Sequence, residues 1–318
     1  MKLMSKNRFL SLLLIFAVLL SLLTSCQFEG ADKGDTTTST TATTLPNPTS
    51  GRIVSVHFID VGNADAILIE TEDGNMLIDT GDTDTNTALV RYLDSEGITE
   101  LDWLVLTHPH ADHIGGAATV LNRYDVKRVM LPDATNNSYT YRNTISAMLY
   151  SDAEIYVVDH NENKVTGLED VTAEVWSAGH TFTLGELSFL IINPIAGDGE
   201  LNNISIGLHM TYGNTTFLFT GDMEGVAENK AMLEFGFALD CDVLKVGHHG
   251  SGTSTSKTFL QYTTPTYAFI PCGAGNSYGH PHTNLLNRLK NANVTYSRAD
   301  EYGSVLMMTN GQDIIIIP

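Results

Sequence analysis

Short apolar runs of strand length, separated by turn residues, mark the chain just after residue 50. The first three runs are residues 53–58, 66–70 and 76–78, with a turn at Asp73-Gly74. Such runs bounded by turn residues predict a β-meander. From Thr85 to Ser95 the apolar side chains instead repeat at helical spacing and Gly97 follows, which predicts a helix that ends there.

The alternation of strands and helices continues towards the C-terminus. Further strands are predicted at residues 101–106, 204–210, 217–220, 240–246 and 267–270, and further helices at 224–235 and 284–292. Apolar residues alternate in the strand at 204–210, so His209 is expected on an exposed polar face. The pattern predicts an α/β fold class, in which the polar loops that follow the strands can converge on one edge.

Residues that commonly bind metals follow the predicted strand that ends at Leu106. Within residues 107–116 the chain places His108, His110, Asp112 and His113. His108 and His110 are two apart, which in extended chain directs both imidazoles to the same side, whereas Asp112 and His113 diverge. This density of ligand-type residues predicts a metal site in which each pair serves one ion, and a solvated polar loop is the alternative.

Several motifs follow one another along the chain in a definite order. They are Asp60–Ala66 (DVGNADA), Leu77–Gly81 (LIDTG), the histidine cluster, Thr220-Gly221-Asp222, His248-His249-Gly250-Ser251 and Asn276–Pro281 (NSYGHP). From about Ile53 to the C-terminus the chain resembles the metallo-β-lactamase superfamily, and within it the hydrolase domain of ComEC-type competence proteins. Asn63 and Ala64 stand where the first motif of that family usually has Gln and Gly.

The resemblance implies the αββα four-layer sandwich of this superfamily and a hydrolase that uses two divalent metal ions. The implied metal ligands are His108 and His110 for the first ion, Asp112, His113 and His248 for the second, and Asp222 as a bridge between the two. Two such ions can activate a water molecule and stabilise charge on the attacking and leaving oxygens. The expected reaction is therefore hydrolysis without a protein nucleophile.

Further residues of the motifs are expected to support this chemistry. The candidates for supporting a ligand or contacting the substrate are Asp79, His249, Ser251 and Asn203. Asp79 is expected to orient a ligand histidine through a hydrogen bond, or else to cap a turn. The candidate catalytic residues are Asp112 and His280, and His280 would protonate a leaving oxygen or hold a phosphate oxygen. Simple packing for His249, a turn for His280 and a helix N-cap for Ser251 are the structural alternatives.

The first metal position has one imidazole fewer than is usual in the superfamily. The region expected to supply it reads Asn202-Asn203-Ile204-Ser205, as in the competence-protein branch. His160, His180 and His209 are the other histidines that could in principle fill the gap. A site with fewer imidazoles prefers oxygen and water ligands, so both zinc and manganese are expected cofactors.

The N-terminal residues have a composition unlike the rest of the chain. Residues 1–25 combine a basic start, an apolar core and small residues before Cys26, which predicts a signal peptide with lipid attached to the Cys26 thiol. An uncleaved membrane anchor is the alternative. Residues 26–50 are rich in Thr and predict a flexible tether, so residues 51–318 form the hydrolase domain. We expect a lipid-anchored protein on the extracellular face of a bacterial cell membrane.

The charge of the chain argues against tight binding of polyanions. The formal net charge is -20, and removal of residues 1–25 takes away Lys2, Lys6 and Arg8 and no acidic residue, which gives -23. Non-specific binding of nucleic acids relies on basic side chains that neutralise phosphates. Cys241 and Cys272 lie beside apolar runs and are expected to be buried thiols.

The leading hypothesis is a surface-tethered, metal-dependent phosphodiesterase that acts on nucleic acid. The resemblance implies DNA as the substrate. One alternative is hydrolysis of another envelope phosphodiester of the phosphocholine or teichoic-acid type, which suits the acidic surface. A second is a non-catalytic lipoprotein that binds envelope material or a metal. No protein partner is evident, and a β-lactam or thioester hydrolase ranks lower because the third histidine is missing.

Overall fold

The computed structural model describes residues 51–159, 165, 167–168, 172–195 and 199–318. The predicted signal peptide, Cys26 and the tether at 26–50 lie outside these residues, as does His160. None of the helices that are described is both long enough and apolar enough to cross a membrane.

Eighteen strands form two large sheets and one small ladder in the described part of the chain. In chain order they are β1 Val54–Phe58, β2 Ile67–Glu70, β3 Asn75–Ile78, β4 Glu100–Leu101, β5 Trp103–Val105, β6 Asp125–Val126, β7 Arg128–Pro132, β8 Glu154–Val158, β9 Ala173–Trp176, β10 Thr181–Leu184, β11 Leu187–Asn193, β12 Gly207–Tyr212, β13 Thr215–Phe219, β14 Val243–Lys245, β15 Tyr267–Ile270, β16 Thr295–Arg298, β17 Val305–Thr309 and β18 Ile314–Ile317. The first sheet has the order β18-β17-β1-β2-β3-β5-β7-β8-β9, and the second runs from β10 to β16 in sequence order. Strands β4 and β6 pair with each other only.

Helices connect the strands and cover the outer faces of both sheets. In chain order they are α1 Asn86–Ser95, α2 Ala111–Ile114, α3 Ala117–Arg123, α4 Tyr139–Tyr150, α5 Gly225–Phe235, α6 Lys257–Thr263, α7 Thr283–Asn291 and α8 Ala299–Tyr302. Short 3₁₀ helices occupy Leu201–Ile204, Gly236–Leu239 and His248–Gly250. The predicted meander and helices are thus present, with boundaries that differ by a few residues.

Three apolar clusters separate four layers. The central cluster lies between the two sheets, where the rings of Phe58 and Phe269 stack with centroids 4.6 Å apart. A second cluster packs α1, α3 and α4 on the outer face of the first sheet, through residues such as Leu89. A third packs α5, α6 and α7 on the second sheet, through residues such as Phe259. Both sheets are therefore covered on two faces, and the predicted αββα sandwich is confirmed.

Coverage on both faces also explains why the expectation for His209 was wrong. Strand β12 begins at Gly207, because Ile204 ends a 3₁₀ helix instead of starting the strand. His209 is buried, and its Nε2 donates a hydrogen bond of 2.8 Å to the carbonyl of Asp240. An alternating pattern predicts one exposed face only when no second layer covers it.

The strands that lead to the motifs run parallel in pairs. In the first sheet β3 pairs parallel with β5, and in the second β13 pairs parallel with β14. Their carboxyl ends are followed by Asp79, His108, Asp222 and His248, respectively. Ends of parallel neighbours emerge at the same edge of a sheet, so each sheet presents two of the motifs at one edge.

Candidate metal centre

The Asp79 carboxylate holds the histidine cluster in place. Residue Asp79 has a left-handed backbone conformation (φ 59°). The two oxygens of its carboxylate accept hydrogen bonds of 2.7 Å from the backbone N–H and the hydroxyl of Thr107. His113 Nδ1 donates to Asp79 Oδ2 at 2.7 Å. Because Nδ1 is occupied in this way, Nε2 of His113 is the nitrogen that faces the centre. Asp79 thus has the orienting contact expected from the sequence.

Four side chains bring one potential ligand atom each within 4.8 Å of one another: Asp112, His113, Asp222 and His249. Asp222 Oδ2 lies 3.3 Å from His113 Nε2 and 3.4 Å from His249 Nε2. His249 Nε2 also lies 3.3 Å from Asp112 Oδ2. Two imidazoles and two carboxylates form a ligand set suited to zinc and related divalent ions.

The buried polar atoms of this group support metal binding. His113 Nε2, His249 Nε2 and Asp222 Oδ1 are inaccessible to solvent and have no hydrogen-bond partner. Buried polar atoms without partners cost free energy and are rare in folded proteins. A divalent ion coordinated between them would satisfy the two nitrogens and the carboxylate together, so the residues fit such an ion.

The charges around the two central histidines favour their protonated forms. Burial lowers the pKa of His113 and His249, but the surrounding charges outweigh burial, and both pKa values lie well above the usual range. For each imidazole the largest raising contribution is the charge of Asp222. Burial raises the pKa of Asp222, yet the charges of the two histidines hold it well below its ordinary value. Metal uptake must therefore release protons from the histidines.

His108 and His110 form a second pair beside this group. His108 Nε2 lies 3.0 Å from His110 Nδ1 and 4.0 Å from Asp222 Oδ2, so Asp222 is close to both sets of ligands. The Nδ1 of His108 lies 3.2 Å from the Ser205 hydroxyl. The side chain of Asn202 contacts His110. An amide thus lies beside the first metal position, where the superfamily usually has its additional histidine.

The geometry favours His249 over His248 as the further histidine ligand of the second metal position, for which the sequence had suggested His248. His249 is 1% exposed and belongs to the four-residue group, whereas His248 Nε2 lies 3.8 Å from Asp222 Oδ2. The other nitrogen of His248 lies 3.0 Å from Glu224 Oε1. Both histidines have left-handed backbones (φ 49° and 50°), and this unusual pair of conformations turns His249 inwards. Spacing alone could not show such a turn.

Lys245 and Asp65 are parts of the centre that the sequence analysis did not assign. Lys245 is 1% exposed, and its Nζ pairs with Asp65 Oδ2. The same Nζ donates a hydrogen bond of 2.6 Å to the Gly221 carbonyl and lies 3.8 Å from Asp222 Oδ1. Asp65 Oδ1 lies 3.3 Å from His249 Nδ1. A buried ammonium group here offsets part of the negative charge of the carboxylates. A signal for both residues was present in the sequence, since Asp65 belongs to the first motif and Lys245 ends a strand that leads to the paired histidines.

His280 lies at the rim of the centre. Its ring centroid is 5.6 Å from that of His248 and 6.5 Å from that of His249. The side chain of Asn276 accepts from the backbone N–H of His280 and donates to its carbonyl, which fixes the loop. Burial and the neighbouring histidines lower the pKa of His280 to about 4. Its Nδ1 is buried and has no hydrogen-bond partner.

Two other predicted site residues have structural contacts. The side-chain oxygen of Asn203 accepts from the backbone N–H groups of Glu224 and Ala227, so it caps the start of α5 instead of facing the metal ligands. Ser251 bonds to the Thr253 hydroxyl, and the N-cap of the next helix is Ser256, whose side chain accepts from Phe259 N–H. The helix N-cap interpretation of Ser251 was therefore wrong.

His180 and His209, two of the histidines considered for the first metal position, have other partners. His180 stacks on Trp176 with ring centroids 4.1 Å apart, and His209 bonds to Asp240 as described above. Cys241 and Cys272 are buried free thiols, as expected.

Comparison with known proteins agrees with this arrangement. A family model described as the metallo-beta-lactamase superfamily matches residues 59–191. The chain is 31% identical over 272 residues to ComE operon protein 3 of Bacillus subtilis, covering 79% of this chain and 32% of that protein. It is 30% identical over 241 residues to Recombination protein 2 of Haemophilus influenzae, covering 74% of this chain and 26% of that protein. The chain thus spans about a third or less of the length of these relatives.

A similar fold is found among solved structures. A mutant of CmlA, a beta-hydroxylase from Streptomyces venezuelae, superimposes with a TM-score of 0.50 at 14% identity, covering 84% of this chain and 55% of that chain. Identity at this level shows the shared fold alone.

We predict that the two adjacent histidines differ in their effect on metal binding. His249→Ala should weaken zinc binding by more than about 100-fold because it removes a nitrogen of the four-residue group, and His248→Ala by about 10-fold or less. Competition with a chromophoric chelator measures both affinities. The reverse order of the two variants would contradict the geometric assignment.

We also predict that Lys245 stabilises the folded chain. Lys245→Met leaves the Asp65 carboxylate buried and unpaired, which should lower the free energy of unfolding by about 3–5 kcal/mol. Urea unfolding in the presence of a chelator measures this loss, and Lys290→Met on the exposed side of α7 is the matched control. Adding Asp65→Asn to Lys245→Met should restore part of the loss, and an unfolding midpoint equal to that of the control would refute the pairing.

Proposed function

We propose that this chain, which carries a metallo-β-lactamase superfamily domain, is a metal-dependent hydrolase that cleaves phosphodiesters. The observation that carries the proposal is the convergence of Asp112, His113, Asp222 and His249. In this group His113 Nε2, His249 Nε2 and Asp222 Oδ1 are buried and make no hydrogen bond. The domain of this superfamily typically binds two divalent metals, and the His108–His110 pair beside Asp222 supports a second position.

The chemistry of such ions suits the attack of water on an anionic substrate. When bound, two divalent ions supply Lewis acidity that lowers the pKa of water and neutralises charge that develops on phosphate oxygens. The chain itself would hold the ligand nitrogens in a fixed orientation through Asp79 and the carbonyl of Pro271, which accepts from His249 Nδ1 at 3.0 Å. This fixed orientation lowers the reorganisation needed in the reaction.

His280 would contact the substrate from the rim. With a pKa lowered to about 4, its imidazole is neutral at pH 7 and offers one N–H donor. Of the two roles predicted from the sequence, a hydrogen bond to a phosphate oxygen is therefore favoured over donation of a proton to the leaving oxygen. The backbone contacts with Asn276 would keep the ring in position.

Nucleic acid is the proposed substrate class. One relative named above is called Recombination protein 2, and a further relative, 27% identical over 248 residues, is called Competence protein ComA of Neisseria gonorrhoeae. The acidic charge of -20 instead favours a second candidate, a smaller phosphodiester of the cell envelope such as a phosphocholine or teichoic-acid ester. In either case we propose that a lipid on Cys26 holds the domain on the outer face of the membrane.

A substrate panel distinguishes these possibilities. Protein loaded with zinc or manganese is incubated with single-stranded DNA, a nitrophenyl phosphodiester, a phosphocholine ester and a chromogenic lactam, and Asp222→Asn serves as the inactive control. We expect turnover of the phosphodiesters by the parent and a loss of at least about 100-fold in the control. Cleavage of the lactam alone would overturn the proposal, and no cleavage by metal-loaded parent would favour a binding lipoprotein.

His280 provides a separate test of the substrate contact. His280→Ala should lower kcat/KM for the nitrophenyl phosphodiester by about 100-fold because it removes a hydrogen-bond donor from the reacting group. The metal content of His280→Ala should equal that of the parent. His180→Ala is the control, because His180 stacks on Trp176 outside the metal centre. Full activity of His280→Ala would remove the proposed contact.

A further inference from the structure

Outside the candidate metal centre, one histidine and two glutamates form another group with ligand geometry. His57, Glu70 and Glu96 each place a ligand atom within 4.8 Å of the other two. His57 lies in β1, Glu70 ends β2, and Glu96 follows the last residue of α1. We propose that these three residues bind a further divalent transition-metal ion, such as zinc, that joins the end of α1 to the first sheet.

The buried nitrogen of His57 is the observation that sets this group apart from an ordinary surface cluster. His57 is 4% exposed, and its Nε2 is inaccessible to solvent without a hydrogen-bond partner. The nearest carboxylate oxygen, Glu70 Oε2, lies 2.9 Å away but lacks the alignment that a hydrogen bond requires. A buried imidazole nitrogen that faces two carboxylates and makes no hydrogen bond is suited to coordinate an ion.

The other side of the imidazole is fixed as in many metal sites. His57 Nδ1 lies 3.1 Å from the Tyr92 hydroxyl, and the two rings meet edge to face with centroids 5.8 Å apart. Burial, with the charges of Glu96 and Glu70, raises the pKa of Tyr92 to about 12, so the hydroxyl stays protonated and neutral. A partner on Nδ1 orients the ring and leaves Nε2 for the metal, which is the usual arrangement for a ligand histidine.

The charges around the group also call for a cation. Within the described residues, neither Glu70 nor Glu96 has a Lys or Arg side chain within 4.0 Å. Burial raises the pKa of Glu96; the charge of His57 opposes this effect, and that of Glu70 adds to it. Two carboxylates beside one imidazole repel each other, and a divalent ion would remove this repulsion.

The ion would have a structural role, since it is held by three separate elements. Helix α1 follows the loop that contains Asp79, and the ion would fix the far end of that helix to β1 and β2. One nitrogen and two carboxylates leave at least one tetrahedral position for water, as is common for zinc at a partly exposed site. This inference does not depend on the proposed hydrolase activity.

The stoichiometry of bound zinc tests the site. The full chain is stripped with a chelator, equilibrated with zinc and passed through a desalting column, and the bound metal is measured by mass spectrometry. Glu96→Gln, at an exposed position where folding should be unaffected, should bind one equivalent of zinc less than the parent. Glu234→Gln, at an exposed position of α5, should match the parent.

A second background separates this site from the catalytic one. In Asp222→Asn protein, which has a damaged candidate metal centre, Glu96→Gln should still remove one further equivalent. Glu96→Gln alone should hydrolyse the nitrophenyl phosphodiester at the rate of the parent. Equal zinc content in Glu96→Gln and Glu234→Gln, with both folded by circular dichroism, would overturn the inference and leave only an ion pair between His57 and Glu70.

Discussion

The arrangement of the molecule depends on one buried carboxylate, that of Asp222. Its Oδ2 lies within 4.0 Å of nitrogens of four histidines, and Lys245 approaches its Oδ1. A carboxylate that is 1% exposed is costly unless positive charge surrounds it, and imidazolium ions, an ammonium group or a metal can supply this charge. The packing of the two sheets brings these groups together, since the histidine cluster follows the first sheet and Asp222 follows the second.

Much of the fold could be predicted from the pattern of apolar residues. Strands and helices followed from runs and periodicity, and the four-layer order followed from the resemblance carried by the motifs. The pattern gave a wrong prediction where a layer of helices covers the sheet face that alternation marks as exposed. His209 looked exposed because it alternates with apolar residues, yet helices cover that side of the sheet, and the carbonyl of Asp240 accepts its hydrogen bond.

The residues of the centre were identified from motifs, but their division of roles depends on backbone conformation. Adjacent His248 and His249 are equivalent in sequence, and only two consecutive left-handed conformations place His249 inside and His248 near Glu224. Lys245 was not assigned to the centre because a sequence does not show burial. Its partner Asp65 is 180 positions earlier in the chain, a separation that no local pattern relates to it.

The pairing of β1 with β17 has a consequence for how the chain is made. Val54 pairs with Thr309, 255 positions later, so β1 gains this second neighbour, beside β2, only after most of the domain has been synthesised. Until then one edge of β1 has open backbone groups that can pair with other chains. Such long-range pairing is slow, and nascent chains would need protection from aggregation until the last strands of the domain arrive.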